Sequence, residues 1–207
     1  MRNLIKIAAA TAAIFASAPA FAGWEPTKPV EIVVAAGAGG ASDQMARMMQ
    51  AAIQKNNLLK QPVVVSLKGG ASGAEALMYM KSSDGDPNKV LIAYSLIYML
   101  PLSAKLPFDW HELSPVAVIA LDQFVLWDNV NGPKTVKEFI DAAKASGSPF
   151  KMGGTGSKRE DHVLTVFMEK KTGAKFSYLP YKSGGEAATQ LVGGHTESNV
   201  NNPSENL

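Results

Sequence analysis

Val30-Glu31-Ile32-Val33-Val34-Ala35-Ala36 runs straight into Gly37-Ala38-Gly39-Gly40-Ala41-Ser42-Asp43, and this passage decides the fold class. A β-branched run predicts a strand, the glycines a tight turn, and the amphipathic stretch from Ser42 a helix. Strand, glycine-rich turn and helix together aim several backbone N–H groups and a helix N-terminus at one point. Such a point attracts an anion.

The same grammar recurs down the chain. Met45, Met48, Met49, Ala52 and Ile53 fall at helical spacing, which reads as core packing rather than a soft-metal site, and Asn56-Asn57 ends the pattern. Pro62 to Leu67 reads as a second strand, followed by Lys68-Gly69-Gly70-Ala71 and a helix from Ser72 to about Lys81. Val90 to Tyr94 is a third strand, with Ser95 at its carboxyl end. Val116 to Ala120 and Phe124 to Trp127 read as a fourth and a fifth. Val136, Phe139, Ile140 and Ala143 then mark a helix. Phe150 to Met152 is a short strand entering the turn Gly153-Gly154-Thr155-Gly156-Ser157, and a helix follows through Val163, Val166 and Phe167. Phe176 to Pro180 leads into Tyr181-Lys182-Ser183-Gly184-Gly185 and a last helix to about Val192. This alternation is that of an α/β protein with doubly wound sheets. Ser72-x-x-Glu75, Thr135-x-x-Glu138, Ser157-x-x-Glu160 and Ser183-x-x-Glu186 all match the capping-box pattern.

Composition narrows the function. The chain has 207 residues, 46% hydrophobic and 18% charged, with no cysteine. There is thus no disulfide framework, thiolate metal site or cysteine nucleophile. Arg2 and Lys6 precede an apolar run, Ile7 to Ala16, and Ala20-Phe21-Ala22 supplies small residues for cleavage. That is the pattern of a bacterial signal peptide cut after Ala22, too short to span a bilayer, and it predicts a periplasmic protein. Losing it takes away two cations and no acid, which brings the 20 Lys and Arg level with the 18 Asp and Glu. A neutral chain has no basic field for nucleic acid or an anionic membrane, so anion selectivity must be local.

Four glycine-rich turns, at Gly37, Gly69, Gly153 and Gly184, are explained better by convergence on one cleft than by turn geometry alone. In an open α/β sheet such turns lie at the carboxyl ends of the strands, where ligands bind. Nucleotide readings fail in detail: Ser42 stands where a Rossmann fingerprint wants its third glycine, and Gly153 to Lys158 lacks a P-loop ending. His111, His162 and His195 have no metal-ligand spacing, and His162 reads as a surface residue. No nucleophile elbow surrounds Ser42, Ser72 or Ser157. The residues offer no nucleophile–base–orienter set, cofactor fingerprint or metal site, and small carboxylates remain as ligands that suit amide-lined loops.

The residues also carry a resemblance. Trp24 to Val34, Gly37 to Asp43 with Arg47, Phe108-Asp109-Trp110-His111-Glu112-Leu113, Gly153 to Ser157, Pro180-Tyr181-Lys182 and Gly193-Gly194 together resemble the periplasmic solute receptors of tripartite tricarboxylate transporters, the Bug-type, TctC-like family. The resemblance implies a two-domain α/β receptor that closes over a carboxylate-bearing solute, a di- or tricarboxylate or related organic acid, and hands it to a membrane permease. It also implies a monomer. The implied domains are residues 23–122 and 123–207. The implied ligand-binding residues are Gly39, Gly40, Ala41, Ser42 and Asp43; Gly70, Ala71 and Ser95; Thr155, Gly156 and Ser157; and Tyr181, Lys182, Gly184 and Gly185. The chain departs from the family pattern at Ala35-Ala36, Lys68-Gly69-Gly70 and Ser183. Family members run about a third longer, so the second domain is expected to lack its closing strands and to be marginally stable. A receptor for an amino acid or another anion, or an exported α/β enzyme, stays open as an alternative. Asp43 is in tension with a nearby carboxylate: it is expected to brace its own loop through amide hydrogen bonds, or else to meet an ammonium.

Overall fold

The computed structural model describes residues 24–206, so the signal-peptide reading lies outside the described residues. Two α/β units follow one another. In the first, β1 (Val30–Val34) is the middle strand of a parallel sheet ordered β2-β1-β3, with β2 at Val63–Leu67 and β3 at Lys89–Ile92. Being central, β1 buries both faces, which is why four of its five residues are apolar, the exception being the half-buried Glu31. Ile32, Val34 and Ala36 pack with Ala46 of helix α1 (Ala41–Lys55) on one side. Val33 and Ala35 pack on the other with Ala76 and Leu77 of α2 (Ala74–Lys81) and Leu96 and Leu100 of α3 (Leu96–Ala104).

The second unit repeats that winding. Strands β5 (Phe150–Thr155), β6 (Phe176–Tyr181) and β7 (Ser198–Asn201) are parallel and ordered β6-β5-β7. β4 (Val125–Asp128) adds antiparallel to β7. Helices α4 (Val136–Ala145), α5 (Glu160–Thr172) and α6 (Gly184–Val192) complete it, and Phe139, Met152 and Val200 form its core. Because both units wind alike, the turns after β1, β2, β5 and β6 all open at the carboxyl ends of their strands.

Several expectations are corrected. Val116 to Ala120 forms no strand. The stretch is exposed, Val116 at 85% and Val118 at 88%, because no neighbouring strand pairs with it. Helix α3 escapes the sequence reading because Pro101 stands inside it; burial of Leu96 and Leu100, one helical turn apart, outweighs the lost bond. Strand β7 escapes because Ser198, Asn199 and Asn201 are polar, yet all three are fully buried. Their hydrogen bonds explain two of them: Ser198 Oγ donates to Trp127 O at 2.5 Å, and Asn201 Nδ2 to Gly184 O at 2.8 Å. Gly153 and Gly154 belong to β5 rather than to a turn. Met48 points to solvent, whereas Met49 and Ile53 pack on the core.

Two of the four capping boxes fail. Ser72 has a positive φ of 58°, and the cap of α2 is Gly73; the Glu75 carboxylate instead accepts the Gly70 N–H at 3.1 Å. Arg159, not Ser157, precedes α5. Thr135 and Ser183 do cap their helices, accepting from the Glu138 and Glu186 amides at 3.1 and 3.2 Å. Their glutamates, however, reach one residue further back, to the Lys134 and Lys182 amides.

Candidate functional site

The candidate site is the seam where the strand-end turns of the two units meet. The β1–α1 turn lies against the β6–α6 turn: the Gly37 N–H donates to Lys182 O at 2.9 Å, and the Ser183 hydroxyl to Ala38 O at 2.8 Å. Gly185 approaches Gly39 so closely that a Cβ there would come 2.7 Å from the Gly39 carbonyl oxygen. Asp43 is buried at 3% exposure. One of its oxygens accepts the Gly39 N–H at 2.9 Å, and the other pairs with Arg47 Nε at 2.8 Å. Its charge thus holds the turn together and faces its own backbone. Gln44 adds a further tie, donating to Gly39 O at 3.1 Å.

A second set of contacts joins the β2–α2 turn and β3 to the start of α5. The Ser157 N–H donates to Ser72 Oγ at 3.3 Å. Arg159, 5% exposed, donates through Nη2 to the Tyr94 hydroxyl at 2.7 Å and lies over the Tyr94 ring at 4.8 Å. Glu160 pairs with it at 3.4 Å. Behind this, Asp161 accepts the Thr155 N–H at 2.6 Å, and the Tyr178 hydroxyl donates to Gly156 O at 2.8 Å. His162 is half-buried, not a surface residue: its ring stacks on Tyr178 at 4.3 Å, and its Nδ1 accepts the Lys158 N–H at 3.1 Å.

Glu205 completes the seam. It follows β7, in the short 3-10 turn Pro203–Glu205, and its Oε1 accepts the Ala41 N–H at 2.7 Å while Oε2 accepts the Asn202 N–H at 3.0 Å. Ala41 is the first residue of α1, so this carboxylate caps a helix N-terminus whose own cap, Gly40, has no side chain to offer. It also lies against Gly184, the first residue of α6, where any Cβ would collide with it. The carboxylate therefore caps α1 and packs against the first residue of α6, so that one helix start from each unit meets it.

Burial dominates the electrostatics. It pushes the Asp161 carboxyl up to about 7, against the pull of the Thr155 amide bond, and raises Glu205 as well. It lifts the Tyr94 hydroxyl to about 12. Burial also works against the Arg159 charge, but Tyr94, Glu160 and Asp161 beside it hold its pKa above the ordinary value. No group of three or more His, Asp or Glu among the described residues is placed to hold a metal ion.

Of the residues singled out in the sequence, Gly39, Gly40, Ala41 and Asp43 are brought together with Lys182, Gly184 and Gly185. Gly156 and Ser157 meet Ser72. Gly70 and Ala71 are exposed, and their neighbour Ser72 makes the contact across the seam. Thr155 and Tyr181 end their strands beside it, and Ser95 precedes α3 with its hydroxyl buried and unpartnered. Ser42 makes no hydrogen bond across the seam. Tyr94, Arg159 and Glu205 were not singled out, and Ser72 only within the loop from Lys68 to Gly73 and as a cap. Ser72 and Arg159 lay inside patterns read as helix caps, and Glu205 in a polar tail without periodicity.

Two α/β units facing each other through strand-end turns define the solute-binding-protein architecture. The chain belongs to the tripartite tricarboxylate transporter receptor family, whose model matches residues 45–205. It is 33% identical over 202 residues to a UPF0065 protein in the gbd 5' region of Cupriavidus necator, covering 95% of this chain and 61% of that protein. It is 32% identical to protein BugT of Bordetella pertussis, covering 96% of this chain and 61% of BugT. A solved periplasmic transporter superposes with a TM-score of 0.78 at 28% identity, over 87% of this chain and 61% of that one. Two further solved structures share the fold, a Rhodopseudomonas palustris protein with adipate (TM-score 0.72, 23% identity, over 86% of this chain and 60% of that one) and MatC with bound malate (TM-score 0.73, 20%, over 85% and 60%). The chain thus spans about 61% of the length of these two relatives. Family and fold are those of solute-binding receptors rather than enzymes.

Proposed function

We propose that the chain is a periplasmic receptor that captures a small dicarboxylate between its two units and delivers it to a membrane permease. The observation that carries this reading is that the starts of α1 and α6 meet at a single carboxylate, that of Glu205, which accepts the first amide of α1 and packs against the first residue of α6. A helix N-terminus stabilises an anion without needing a cationic side chain. The adipate and malate held by proteins of the same fold support the choice of class. Gly39, Gly40 and Ala41 form one wall and Gly184 and Gly185 the other, with Ser72, Ser95, Tyr94 and Arg159 at the far end. The boundary between the units is placed at residues 122 and 123, in the extended stretch before β4. A solute touching both walls favours the closed arrangement, which is the hinge motion of such receptors.

A second reading rests on the carboxylates themselves. Glu160, Asp161 and Glu205 outnumber the one guanidinium, Arg159, that faces them. That imbalance favours a solute carrying an ammonium group beside its carboxylate. Thermal-shift screening separates the two. Millimolar malate and adipate should raise the melting temperature by mass action, and amino acids should do so instead under the second reading. A rise with phosphate or sugars alone overturns both.

A further inference from the structure

We propose that Glu205 is a built-in competitor for the solute carboxylate and thereby sets the selectivity of the cleft. The inference rests on the carboxylate-receptor reading above.

The place a solute carboxylate would take is already filled. Glu205 Oε1 stands 2.7 Å from the Ala41 N–H, the first amide of α1, and its carboxyl group lies where a side chain on Gly184 would be, at the first residue of α6. A Cβ on Gly40 would also come 3.4 Å from the same Oε1. The glycines at 40 and 184 therefore leave room for a carboxylate, and the chain supplies its own. Asn202 holds that carboxylate from the other side through its N–H at 3.0 Å, so the side chain is oriented rather than loose. Asn202 is in turn fixed by bonds from its Nδ2 to Asp122 Oδ1 and Gln123 O, both 2.7 Å. Gln44 reaches the same turn, donating to Ser204 O at 3.3 Å.

A tethered carboxylate is present at high effective concentration and binds as a charge-assisted acceptor. The apparent affinity of any free carboxylate falls by the fraction of time Glu205 leaves the amides free. A monocarboxylate offers only what Glu205 already offers. A dicarboxylate adds a second anionic end that Glu205 cannot supply, and so can displace it. The cleft accordingly rejects acetate-like solutes and admits dicarboxylates.

The test is a calorimetric titration of the 207-residue chain, and of its Glu205→Gln and Glu205→Ala variants, with adipate and with acetate. Glutamine preserves the size and one acceptor oxygen, so it keeps the packing while removing the charge; hydrogen exchange at the Ala41 amide reports whether the contact is lost. Both variants should bind adipate about tenfold or more tightly than wild type. Acetate binding should become measurable, and the Ala41 amide should exchange faster in the absence of solute. Adipate bound by all three proteins with equal affinity, or more weakly by the variants, overturns the inference and leaves the receptor reading standing. Neither adipate nor acetate bound by any of the three overturns the carboxylate-receptor reading and the inference together.

Discussion

The Ser183 hydroxyl donates to the Ala38 carbonyl at 2.8 Å while its oxygen accepts the Glu186 amide at 3.2 Å. One buried side chain thus caps α6 and ties the β6–α6 turn to the β1–α1 turn. Ser183→Ala removes both roles and leaves the Ala38 oxygen short of a partner. A loss of about 1–2 kcal/mol is expected, read from the urea midpoint. An unchanged midpoint would show that the cross-seam bond adds nothing.

Gly185 and Gly39 meet backbone to backbone, so Gly185→Ala cannot be absorbed by a side-chain rotation. The added Cβ would lie 2.7 Å from the Gly39 oxygen. The turns must part, at about 1–3 kcal/mol, and the particle should expand in small-angle scattering. A variant as compact and as stable as wild type contradicts the close approach.

Ala41 is the first helical residue of α1, and Gly40 before it is extended, with φ −76° and ψ 163°. Proline is tolerated at both counts, and it has no N–H. Ala41→Pro should therefore fold normally while losing the amide that a solute carboxylate shares with Glu205. Under the proposed function its affinity for adipate drops at least tenfold in a calorimetric titration, with the circular dichroism unchanged. Undiminished adipate binding by a folded variant would remove Ala41 from the site.

Asp161 gives a pH dependence whose sign is fixed by burial. Its folded pKa, about 7, lies above the ordinary 3.8, so the folded chain favours the protonated acid. The stabilisation is complete below about pH 3.8 and is lost as pH rises towards about 7. Denaturation midpoints should fall between about pH 4 and 7. Asp161→Asn keeps an acceptor for the Thr155 amide and should flatten that fall. Glu205, also raised by burial, leaves a residual slope of the same sign. A wild-type midpoint that climbs over this range would contradict the burial of the Asp161 carboxyl.

Most strands and helices were legible because their causes are local. The apolar run at Val30–Val34 and the helical spacing through Met49 and Ile53 both report a core-facing surface. Failures came where a distant partner decides. Val116 to Ala120 has the residues of a strand and no strand to pair with, while Ser198–Asn201 has polar residues and two neighbours that bury it. Ser72-x-x-Glu75 has the spacing of a cap, but its glutamate turns to Gly70 instead.

The sequence by itself determined most of the strand–turn–helix alternation and roughly where the turns fall, since side-chain period and turn chemistry act over a few residues. Tertiary structure alone decided which turns face each other and what fills the space between them. The opening turn, Gly37 to Asp43, is braced by its own aspartate, as local chemistry suggested. Its free amide at Ala41, however, is taken by a glutamate 164 residues away. A hydrogen bond across that separation leaves no trace in local pattern, because it depends only on how two independently wound sheets come together.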